Sequence, residues 1–416
     1  MKIILVADHA SIDFGGEAAL PCHYFRVLLA RDIDVFLVVH ERSRSFLEKY
    51  FKGHKHRIFY VPDTKLHRLI HFVQKPLPDR LGYLTFGFML RVLTQIQQKK
   101  RIRALITNKQ ETIIHQVIPV SPKESSLMYG FGVPVIYGPL NGGMNYPEHF
   151  SGYESRFVFW VNRIGRSFSG IMNILFPGKK EAALLLVANK RSEAALPKNL
   201  KGATRLLVDN AVDLSLWKPL PDKVTTTPTF VYVGRLIPLK GVDILLDAFF
   251  NACEQYGKMI LHIIGDGVER KHLEQFVNNH ASSVGEVKFE GWLQQVEITE
   301  FLSGARALVL PSLHDCGGVV LLEAMASSVA VIATNWGGPA DYLDDTCGFL
   351  VDPISRVTLV DGFSNALLSL AKDPELARKM GIAGRCKVEQ EYDWERKLDE
   401  MIEIYQEQLS NVIGSE

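Results

Sequence analysis

Short apolar runs alternate with amphipathic helical patterns along the whole chain. The runs of the first half are KIILVA, IDVFLVVH, RALIT, VPVIYG, LLLVA and TRLLV, and those of the second half are TFVYVG, MILHIIG, VKF, ARALVLP and VAVIAT. Short apolar runs separated by helical periodicity are typical of buried parallel strands that are covered by helices. Two such sets predict an α/β chain with two doubly wound domains.

A stretch with little periodicity separates the two sets. It reads DNAVDLSLWKPLPDKVTTTPT and is rich in Pro, Asp and Thr, so we place a linker at about residues 214–228. The domains are then residues 1–213 and 229–390. Residues 391–416 have a helical pattern beyond any strand that they could cover in their own domain, which makes them a candidate to return to the first domain. A chain of 416 residues, 47% of them apolar, supports two buried cores more readily than one.

Cysteine usage and the apolar segments narrow the class of protein. The five cysteines are odd in number, far apart and without paired metal spacing, so they predict neither a disulfide framework nor a zinc module, and they fit a reducing cytoplasm. The run before Asp8 is too short for a secretory signal and is better interpreted as a first strand. The longest uncharged stretch, residues 125–147, holds five glycines and three prolines and is excluded as a membrane-spanning helix.

The net charge of +1 hides an asymmetry between the halves. Residues 1–206 carry 30 Lys and Arg against 15 Asp and Glu, whereas the remainder carries 17 against 31. The first half is therefore expected to be drawn to anionic surfaces, although two oppositely charged domains that attract each other would explain the same counts. The basic residues follow no nucleic-acid-reading motif, so nucleic acid is not an expected partner.

Glycine turns follow four of the predicted strands. In open parallel sheets, ligands bind beyond the carboxyl ends of strands, where the amino ends of helices supply amide donors. Glycines are also common in such turns for packing reasons alone. No GxGxxG follows a strand, and the chain has no GxxxxGK[ST], HExxH or GxSxG, which disfavours dehydrogenase, nucleoside triphosphatase, zinc protease and serine hydrolase chemistry. The turns are Gly15-Gly16, Gly234, Gly265-Asp266-Gly267 and Gly317-Gly318.

Charged residues at these turns suggest a ligand. Arg235 and Lys240 flank a turn that leads into the helical pattern VDILLDAFF, so two cations and a helix amino terminus could converge on a diphosphate; the alternative is a pair of solvated charges. Glu323 lies among apolar residues, where a carboxylate needs a partner, either two ribose hydroxyls or a cation. Asp315 precedes the bare backbone of Gly317-Gly318, which suits a sugar. Together these residues predict a site for a sugar nucleotide.

Taken in order, the motifs resemble glycosyltransferase family 4, a large retaining group with the GT-B fold of two Rossmann-like domains that face each other across a cleft. The resemblance spans nearly the whole chain. Two positions depart from the family pattern: Asp315 stands where a glutamate is usual, and Gly317 stands where a phenylalanine is usual. The segments HDCGG and GPLNGGM look like a subgroup that assembles bacterial polysaccharides and glycolipids. The matching segments are DFGGEAAL, IIH, NAVD, VGRLIPLKG, IIGDGVERKHLE, VKFEGWL and PSLHDCGGVVLLEAMA.

The resemblance implies roles for particular residues. His115 would lie near the reacting sugar, although a packed histidine at a strand end is the alternative. Gly15 and Gly16 would line the acceptor side of the cleft. Asn141, Gly142 and Gly143 would belong to an acceptor loop, for which a plain connecting turn is an equal alternative. The donor would contact Glu323 and main-chain groups near Leu293, together with five glycines, namely Gly234, Gly265, Gly267, Gly317 and Gly318.

The resemblance also implies a mechanism. A hexosyl group would move from a UDP- or GDP-sugar, bound by the second domain, to a saccharide or lipid-linked acceptor bound by the first. The configuration at the anomeric carbon would be retained, with attack on the face from which the diphosphate leaves, and the leaving diphosphate would take the acceptor proton. Arg235 and Lys240 would stabilise the negative charge of the leaving diphosphate, and Asp315 would lie at the sugar. Because the chain supplies these cations, we expect no metal and no other cofactor. Closure of the domains would exclude water.

A basic amphipathic segment suggests contact with a membrane. Residues 156–176 place six large apolar side chains on one helical face and three arginines on the other, as interfacial helices do, although an ordinary helix covering a sheet would look similar. The KKRIR run at residues 99–103 adds to the positive charge. We therefore expect a cytoplasmic protein with a peripheral contact to the anionic inner face of the membrane.

Two other functions remain open on the sequence alone. An epimerase could bind the same nucleotide sugar on the same fold, and it would need an acid and a base at the sugar, for which His115 and Asp315 are the candidates. A non-catalytic relative could bind polyanionic glycans or a membrane through its basic half, and the departure at Asp315 keeps that alternative open.

Overall fold

The computed structural model of the chain describes residues 1–12, 16–74, 86–153, 170–220, 226–280 and 284–413. The chain divides into two compact units. The first unit consists of residues 1–143, 155–210 and 395–416, and the second consists of residues 144–154 and 211–394.

Each unit is built on one parallel sheet. The first sheet has seven strands in the order β3-β2-β1-β4-β5-β6-β7, and the second has six in the order β10-β9-β8-β11-β12-β13. In both sheets the order reverses direction beside the first strand, which is the doubly wound arrangement. The strands are β1 (Lys2–Val6), β2 (Asp34–His40), β3 (Ile58–Val61), β4 (Thr112–Gln116), β5 (Val135–Leu140), β6 (Leu184–Val187), β7 (Ala203–Leu206), β8 (Thr229–Val233), β9 (Ile260–Ile264), β10 (Glu286–Gly291), β11 (Ala307–Leu310), β12 (Ala330–Thr334) and β13 (Gly348–Val351).

Helices connect the strands, as parallel pairing requires. Residues 170–175 are also helical. The labelled helices are α1 (Gly16–Ala30), α2 (Arg44–Tyr50), α3 (Lys65–Gln74), α4 (Phe88–Leu105), α5 (Lys190–Ala194), α6 (Val242–Tyr256), α7 (Arg270–Asn279), α8 (Gln295–Leu302), α9 (Val319–Ala326), α10 (Gly338–Tyr342), α11 (Arg356–Lys372), α12 (Pro374–Glu391) and α13 (Trp394–Ile413).

The predicted fold class, two Rossmann-like α/β units, is confirmed by these two sheets. The assignment of RALIT to a strand is wrong, because α4 continues to Leu105 and the strand that pairs with β1 is β4. Arg103 and Ala104 are exposed in that last turn, whereas every residue of β4 is buried. The polar letters of TIIHQ concealed β4, because a strand buried on both faces can hold polar side chains when they find partners inside.

Central strands form the two cores. In β1 the side chains from Ile3 to Val6 are fully buried, and burying a side chain of this size contributes about 1.5–3 kcal/mol. The neighbouring strand β4 is equally buried. Both faces of the sheet are therefore covered, which explains why its strands read as continuous apolar runs.

The carboxyl-terminal helix α13 belongs largely to the first unit. Arg31 pairs with Glu395 at 3.0 Å, and the Lys397 ammonium donates to the carbonyl oxygen of Val208 at 2.6 Å. Burial lowers the pKa of Lys397 to about 7. The Tyr405 hydroxyl donates a hydrogen bond to His115 of β4. Polar contacts in the first turn and near the middle of the helix therefore hold it against the rest of the first unit.

Two boundaries differ from the sequence analysis. Trp217 was placed in the linker, but its side chain is 3% exposed and its carbonyl oxygen accepts a hydrogen bond from Arg385 at 2.9 Å within the second unit. Residues 144–154 were placed in the first domain but cluster with the second unit. The short-range pattern could not reveal either assignment, because both depend on contacts more than one hundred residues apart.

The five cysteines are unpaired, with Cys22, Cys253 and Cys347 buried. In the described part of the chain no helix has the length and the apolar character that crossing a bilayer requires.

Candidate functional site

The loops at the carboxyl edge of the second sheet are linked to one another by main-chain hydrogen bonds. The amide of Gly234, after β8, donates to the carbonyl oxygen of Ile264 at 3.0 Å, and the amide of Gly265, after β9, donates to that of Gly291 at 2.7 Å. Three strand ends are thus joined in the order β8, β9, β10. The loops that follow these strands are therefore held against one another by main-chain hydrogen bonds and are not three independent turns.

Two of the predicted ligand-binding glycines are required by this close approach. A β-carbon at Gly265 would lie 2.0 Å from the carbonyl oxygen of Gly234, and the φ of Gly265 is +134°. A β-carbon at Gly267 would lie 2.2 Å from the carbonyl oxygen of Leu236. Loop packing therefore accounts for both glycines, and any amide contact with a ligand would be an additional role.

The turn at Gly317 and Gly318 opens helix α9. Gly318 caps the helix with a φ of +72°, in the left-handed region that favours glycine. A β-carbon at Gly338 would lie 2.2 Å from the carbonyl oxygen of Gly317. The amide of Gly338 donates to the carbonyl oxygen of Asp315 at 2.8 Å. The backbone of this turn is therefore held from both sides.

Lys240 and Asp315 form an ion pair at this edge, and the side chain of each is 15% exposed. Lys240 ends the short turn Pro238–Lys240, directly before helix α6. The Asp315 carboxylate also accepts from the amide of Gly317 at 3.3 Å. Arg235 is exposed. The fold thus brings together Lys240 and Asp315, which are 75 positions apart in the sequence. Lys240 was predicted to bind a diphosphate and Asp315 a sugar, so the two residues are neighbours as adjoining binding sites would require.

Glu323 lies on α9 between the buried Leu322 and Ala324. Its side chain is partly buried. Among the described residues, none donates a hydrogen bond to this carboxylate or forms an ion pair with it. Burial raises the pKa of Glu323 from 4.5 to about 7. An unpartnered carboxylate in such surroundings is destabilised, so its presence is explained best by a ligand that donates hydrogen bonds to it.

Residues 144–154 supply part of this site, which the sequence analysis missed. The Met144 sulfur lies 4.0 Å from the Cys316 sulfur, and the rings of Tyr146 and His314 lie 4.9 Å apart. The indole of Trp336 donates to a carbonyl oxygen of the same segment at 2.8 Å. The glycine turn NGGM was the sole local signal that pointed to this region.

The loop after β10 holds Leu293, near which main-chain groups are expected to contact the donor. Gly291 has a φ of +75°, Trp292 is 62% exposed and Leu293 is half-buried. Leu293 is the residue that the sequence predicts at this loop, and its exposed neighbour Trp292 was not predicted as a site residue.

The structure places His115 inside the first unit, with no exposed surface. The Nε2 atom donates to the carbonyl oxygen of Gly138 at 2.6 Å, and the Tyr405 hydroxyl donates to Nδ1 at 2.6 Å. Burial lowers the pKa of His115 to about 4, so the ring is neutral. The expected contact with a sugar is corrected accordingly, because both ring nitrogens are engaged inside the core. This is the packed histidine that the sequence left as the alternative.

The predicted acceptor residues lie in the first unit. Gly16 is exposed at the start of α1 with a φ of +51°, and Gly15 lies outside the described residues. The Asn141 side chain is buried and donates to Asp209 at 2.9 Å, so it holds the turn in place and does not face outward.

The two glycines after Asn141 are equally constrained. A β-carbon at Gly142 would lie 2.9 Å from a ring carbon of Pro122. A β-carbon at Gly143 would lie 2.9 Å from the β-carbon of Ala195. This geometry is that of a tightly packed connecting turn.

A charged cluster at the end of β1 was not found from the sequence. Arg91 donates to Asp8 at 3.0 Å and pairs with Glu124. Burial raises the pKa of Asp8 to about 7 and lowers that of Lys179 to about 7. The Lys179 ammonium donates to the carbonyl oxygen of Ser121. The cluster joins residues more than eighty positions apart, so no local pattern marks it.

His40, Asp63 and His67 have ligand atoms within 4.8 Å of one another, as a metal site would require. However, Nδ1 of His40 accepts from the amide of Arg42 at 3.2 Å, and Nδ1 of His67 accepts from the amide of Thr64 at 3.2 Å. Each neutral ring must then carry its proton on Nε2, which leaves no lone pair for a metal. The Arg42 guanidinium pairs with Asp63 at 3.2 Å and adds a positive charge. These groups therefore do not fit a metal ion.

The predicted amphipathic segment falls mostly outside the described residues, which exclude 154–169. Its last part is helical at residues 170–175.

Comparisons with known proteins bear directly on the second unit. Residues 217–387 match the family model described as glycosyl transferases group 1. A GDP-mannose-dependent monoacylated alpha-(1-6)-phosphatidylinositol monomannoside mannosyltransferase from Corynebacterium glutamicum is 31% identical over 198 residues, which are 46% of this chain and 48% of that protein. The chain spans about half the length of the curated relatives that it matches.

Solved structures resemble the fold of the whole chain. A sucrose-phosphate synthase from Thermosynechococcus elongatus aligns with a TM-score of 0.66 and 19% identity over 99% of this chain and 100% of that one. Anabaena HepE in complex with UDP aligns with a TM-score of 0.61 and 16% identity over 98% of this chain and 100% of that one. At such identities the likeness concerns the fold alone. The chain therefore has the two-unit fold known as GT-B, and the match to the glycosyl transferases group 1 model, residues 217–387, lies within its second unit.

Proposed function

We propose that the protein is a retaining glycosyltransferase that moves a hexosyl group from a UDP- or GDP-sugar to a saccharide or lipid-linked acceptor in polysaccharide or glycolipid assembly. The observation that carries the proposal is the unpartnered Glu323 carboxylate on α9, beside the glycine turn that opens the same helix. A ribose would supply the two hydroxyl donors that this carboxylate lacks.

The donor diphosphate is assigned to the loop between β8 and α6. Arg235 is exposed there, and Lys240 stands directly before the first turn of α6. An arriving diphosphate would compete with Asp315 for Lys240, so the ion pair keeps the ammonium positioned before the donor binds. As the bond to the sugar breaks, the two cations and the amino end of α6 would stabilise the negative charge that develops on the diphosphate.

The acceptor proton is assigned to the leaving diphosphate, and the acceptor would attack on the same face of the sugar, so that the configuration is retained. Asp315 would accept a hydrogen bond from the sugar once Lys240 turns to the diphosphate. No step in this scheme uses a metal, because the positive charges belong to the chain. The buried, neutral His115 supports transfer over epimerisation, because it was one of the two candidates for the acid and base that an epimerase needs.

Names of similar proteins agree with this chemistry in part. The relative from Corynebacterium glutamicum is named as dependent on GDP-mannose and as acting on a phosphatidylinositol mannoside. HepE is described in complex with UDP. These names support a donor that carries a nucleoside diphosphate and an acceptor that is a glycolipid.

The test is ligand-induced thermal stabilisation with UDP, GDP, ADP, TDP and their sugars. One nucleotide should stabilise the native chain, by about 2.7 kcal/mol when its concentration is one hundred times Kd. Glu323→Gln should lose this response, and Glu254→Gln, at an exposed position of α6, should keep it. If no nucleotide stabilises the wild-type chain, the proposal fails.

A further inference from the structure

The loops after β1 and β4 begin side by side at the carboxyl edge of the first sheet. Val6 at the end of β1 pairs with Gln116 at the end of β4. From these two neighbouring strands the sheet continues in opposite directions, to β2 on one side and to β5 on the other. In a doubly wound sheet, ligands bind in the crevice outside such a pair of strand ends. The side chains at this point are therefore candidates for ligand contact within the first unit.

Five charged side chains, which we call the Asp8 cluster, lie at this point. Arg91 of α4 connects two of them, because it donates to Asp8 at 3.0 Å and pairs with Glu124 in the loop after β4. The side chains of Asp8, Arg91 and Glu124 are 18%, 15% and 25% exposed, so all three are accessible from solvent. The members of the cluster are Asp8, Glu17, Arg91, Glu124 and Lys179.

The other two members of the cluster hold the loop after β4 in place. The amide of Val120 in this loop donates to the Glu17 carboxylate, in the first turn of α1, at 3.0 Å. The next carbonyl oxygen, that of Ser121, accepts from the Lys179 ammonium, which is 1% exposed. The loop is thus fixed by side chains from two distant parts of the first unit. Groups that are already held in position lose little conformational entropy when a ligand arrives.

One oxygen of the Asp8 cluster lacks a partner. In the described part of the chain no group donates a hydrogen bond to Oδ1 of Asp8, which is buried. Burial raises the pKa of Asp8 to about 7, and the neighbouring carboxylates of Glu124 and Glu17 add to the increase. A buried acceptor without a donor is destabilising, which a ligand would relieve. Because rotation about the last bond of an aspartate is soft, either oxygen can turn toward a ligand at the exposed side.

The charges of the Asp8 cluster indicate the class of ligand. It has three carboxylates and two cations, so a phosphate would meet an excess of negative charge, although residues 1–206 are basic overall. A metal ion does not fit, because the Arg91 guanidinium occupies the position between Asp8 and Glu124. Hydroxyl groups both donate and accept hydrogen bonds, so they suit carboxylates and cations together. A neutral sugar carries several such groups on one ring.

We propose that the Asp8 cluster binds the hydroxyl groups of a neutral saccharide, with Asp8 accepting a hydrogen bond from one of them. This inference rests on the proposed function in one respect, which is that the saccharide is then the acceptor. The first unit would recognise the sugar part of the acceptor through Asp8, whether or not a lipid is attached to that sugar.

The test is saturation-transfer difference NMR of the full chain without nucleotide, titrated with the methyl glycosides of glucose, mannose, galactose and N-acetylglucosamine. At least one glycoside should bind the wild-type chain. Its 6-phosphate should bind at least about tenfold more weakly, because the carboxylates repel it. Asp8→Asn keeps the shape of the side chain and removes its charge, so it should weaken binding of the glycoside about tenfold, since hydrogen bonds to charged acceptors are the stronger ones.

Matched variants make the result decisive. Glu111→Gln removes a carboxylate at an exposed position of the first unit and should bind the glycoside as the wild type does. Glu124→Gln should weaken binding about threefold or more, and it decides the test if circular dichroism shows that Asp8→Asn does not fold. Three results would overturn the proposal: no binding of any of the four glycosides, wild-type affinity in the folded cluster variants, or binding of the 6-phosphate as tight as that of its parent.

Nucleotide-induced stabilisation of the same variants separates this site from the donor site. It should be unchanged in all of them, because the donor is assigned to the second unit. Glycoside binding by a wild-type chain that responds to no nucleotide would support the saccharide site and contradict the proposed function. A nucleotide response without glycoside binding would contradict the saccharide site alone.

Discussion

Replacing Glu323 by glutamine should make the ligand-free protein more stable and unable to bind its donor. The carboxylate is partly buried, has no partner in the described part of the chain and has its pKa raised from 4.5 to about 7 by burial. Glutamine has nearly the same shape and carries no charge. The substitution therefore removes the desolvation of a charged group without leaving a cavity.

The magnitude follows from the pKa shift, and its sign from proton linkage. Between pH 4.5 and 7 the folded chain holds a proton that the unfolded chain has released, so this carboxyl lowers stability progressively as pH rises through that window. A shift of this size corresponds to about 3 kcal/mol above pH 7 when the group is fully buried. Because Glu323 keeps some contact with solvent, we expect a gain of about 1–3 kcal/mol at pH 8 and almost none at pH 4.5.

The assay is urea unfolding of both proteins at pH 4.5 and pH 8, followed by intrinsic fluorescence. Four of the five tryptophans (Trp217, Trp292, Trp336 and Trp394) belong to the second unit, so the signal reports mainly the unit that holds Glu323. Glu254→Gln, at an exposed position, is the control and should change stability by less than about 0.5 kcal/mol at either pH. A glutamine variant that is less stable at pH 8, or whose gain does not depend on pH, would refute the claim that this carboxylate lacks a partner.

Three further predictions concern long-range contacts. Tyr405→Phe leaves Nδ1 of the buried His115 without a donor and should destabilise the first unit by about 1–3 kcal/mol in urea unfolding followed by circular dichroism; unchanged stability would mean that the hydrogen bond does not form. Gly265→Ala places a β-carbon 2.0 Å from a neighbouring carbonyl oxygen at a φ of +134°, so it should cost more than about 2 kcal/mol and remove the nucleotide response, and a fully stable, responsive variant would contradict this geometry. A double-mutant cycle with Lys240→Met and Asp315→Asn should give a coupling energy of about 1–3 kcal/mol, and strictly additive effects would show that the two charges do not interact.

The sequence by itself determined the class of fold, and it singled out Glu323 as a carboxylate in apolar surroundings. Strands such as β1 and β8 are apolar on both faces, because helices cover both faces of a parallel sheet. In the sequence such strands are visible as unbroken runs of apolar residues. Glu323 could be singled out for a similar reason. A carboxylate within an apolar helical pattern must be buried to some degree, and burial of a charge is costly wherever the helix lies.

Only the tertiary structure decided which polar groups meet. Lys240 reaches Asp315 across 75 residues and His115 reaches Tyr405 across 290, and neither distance in sequence leaves a periodic signal. His115 shows what the sequence leaves open, because a histidine at the end of an apolar strand can either contact a ligand or pack inside the core. The choice depends on whether a distant hydroxyl is present to satisfy the ring, and the helix that carries Tyr405 supplies it.

The orientation of α3 has the same origin. Its sequence, KLHRLIHFVQ, specifies an amphipathic helix but not which side is turned to the protein. Partners decided the orientation. The amide of Thr64 donates to Nδ1 of the buried His67, and Nε2 donates to the hydroxyl of Thr94. By contrast, Leu69 and Phe72 of the same helix are exposed. Local periodicity fixes the secondary structure and the amphipathic pattern, whereas the satisfaction of buried polar groups by distant residues fixes the orientation and therefore the surfaces available for function.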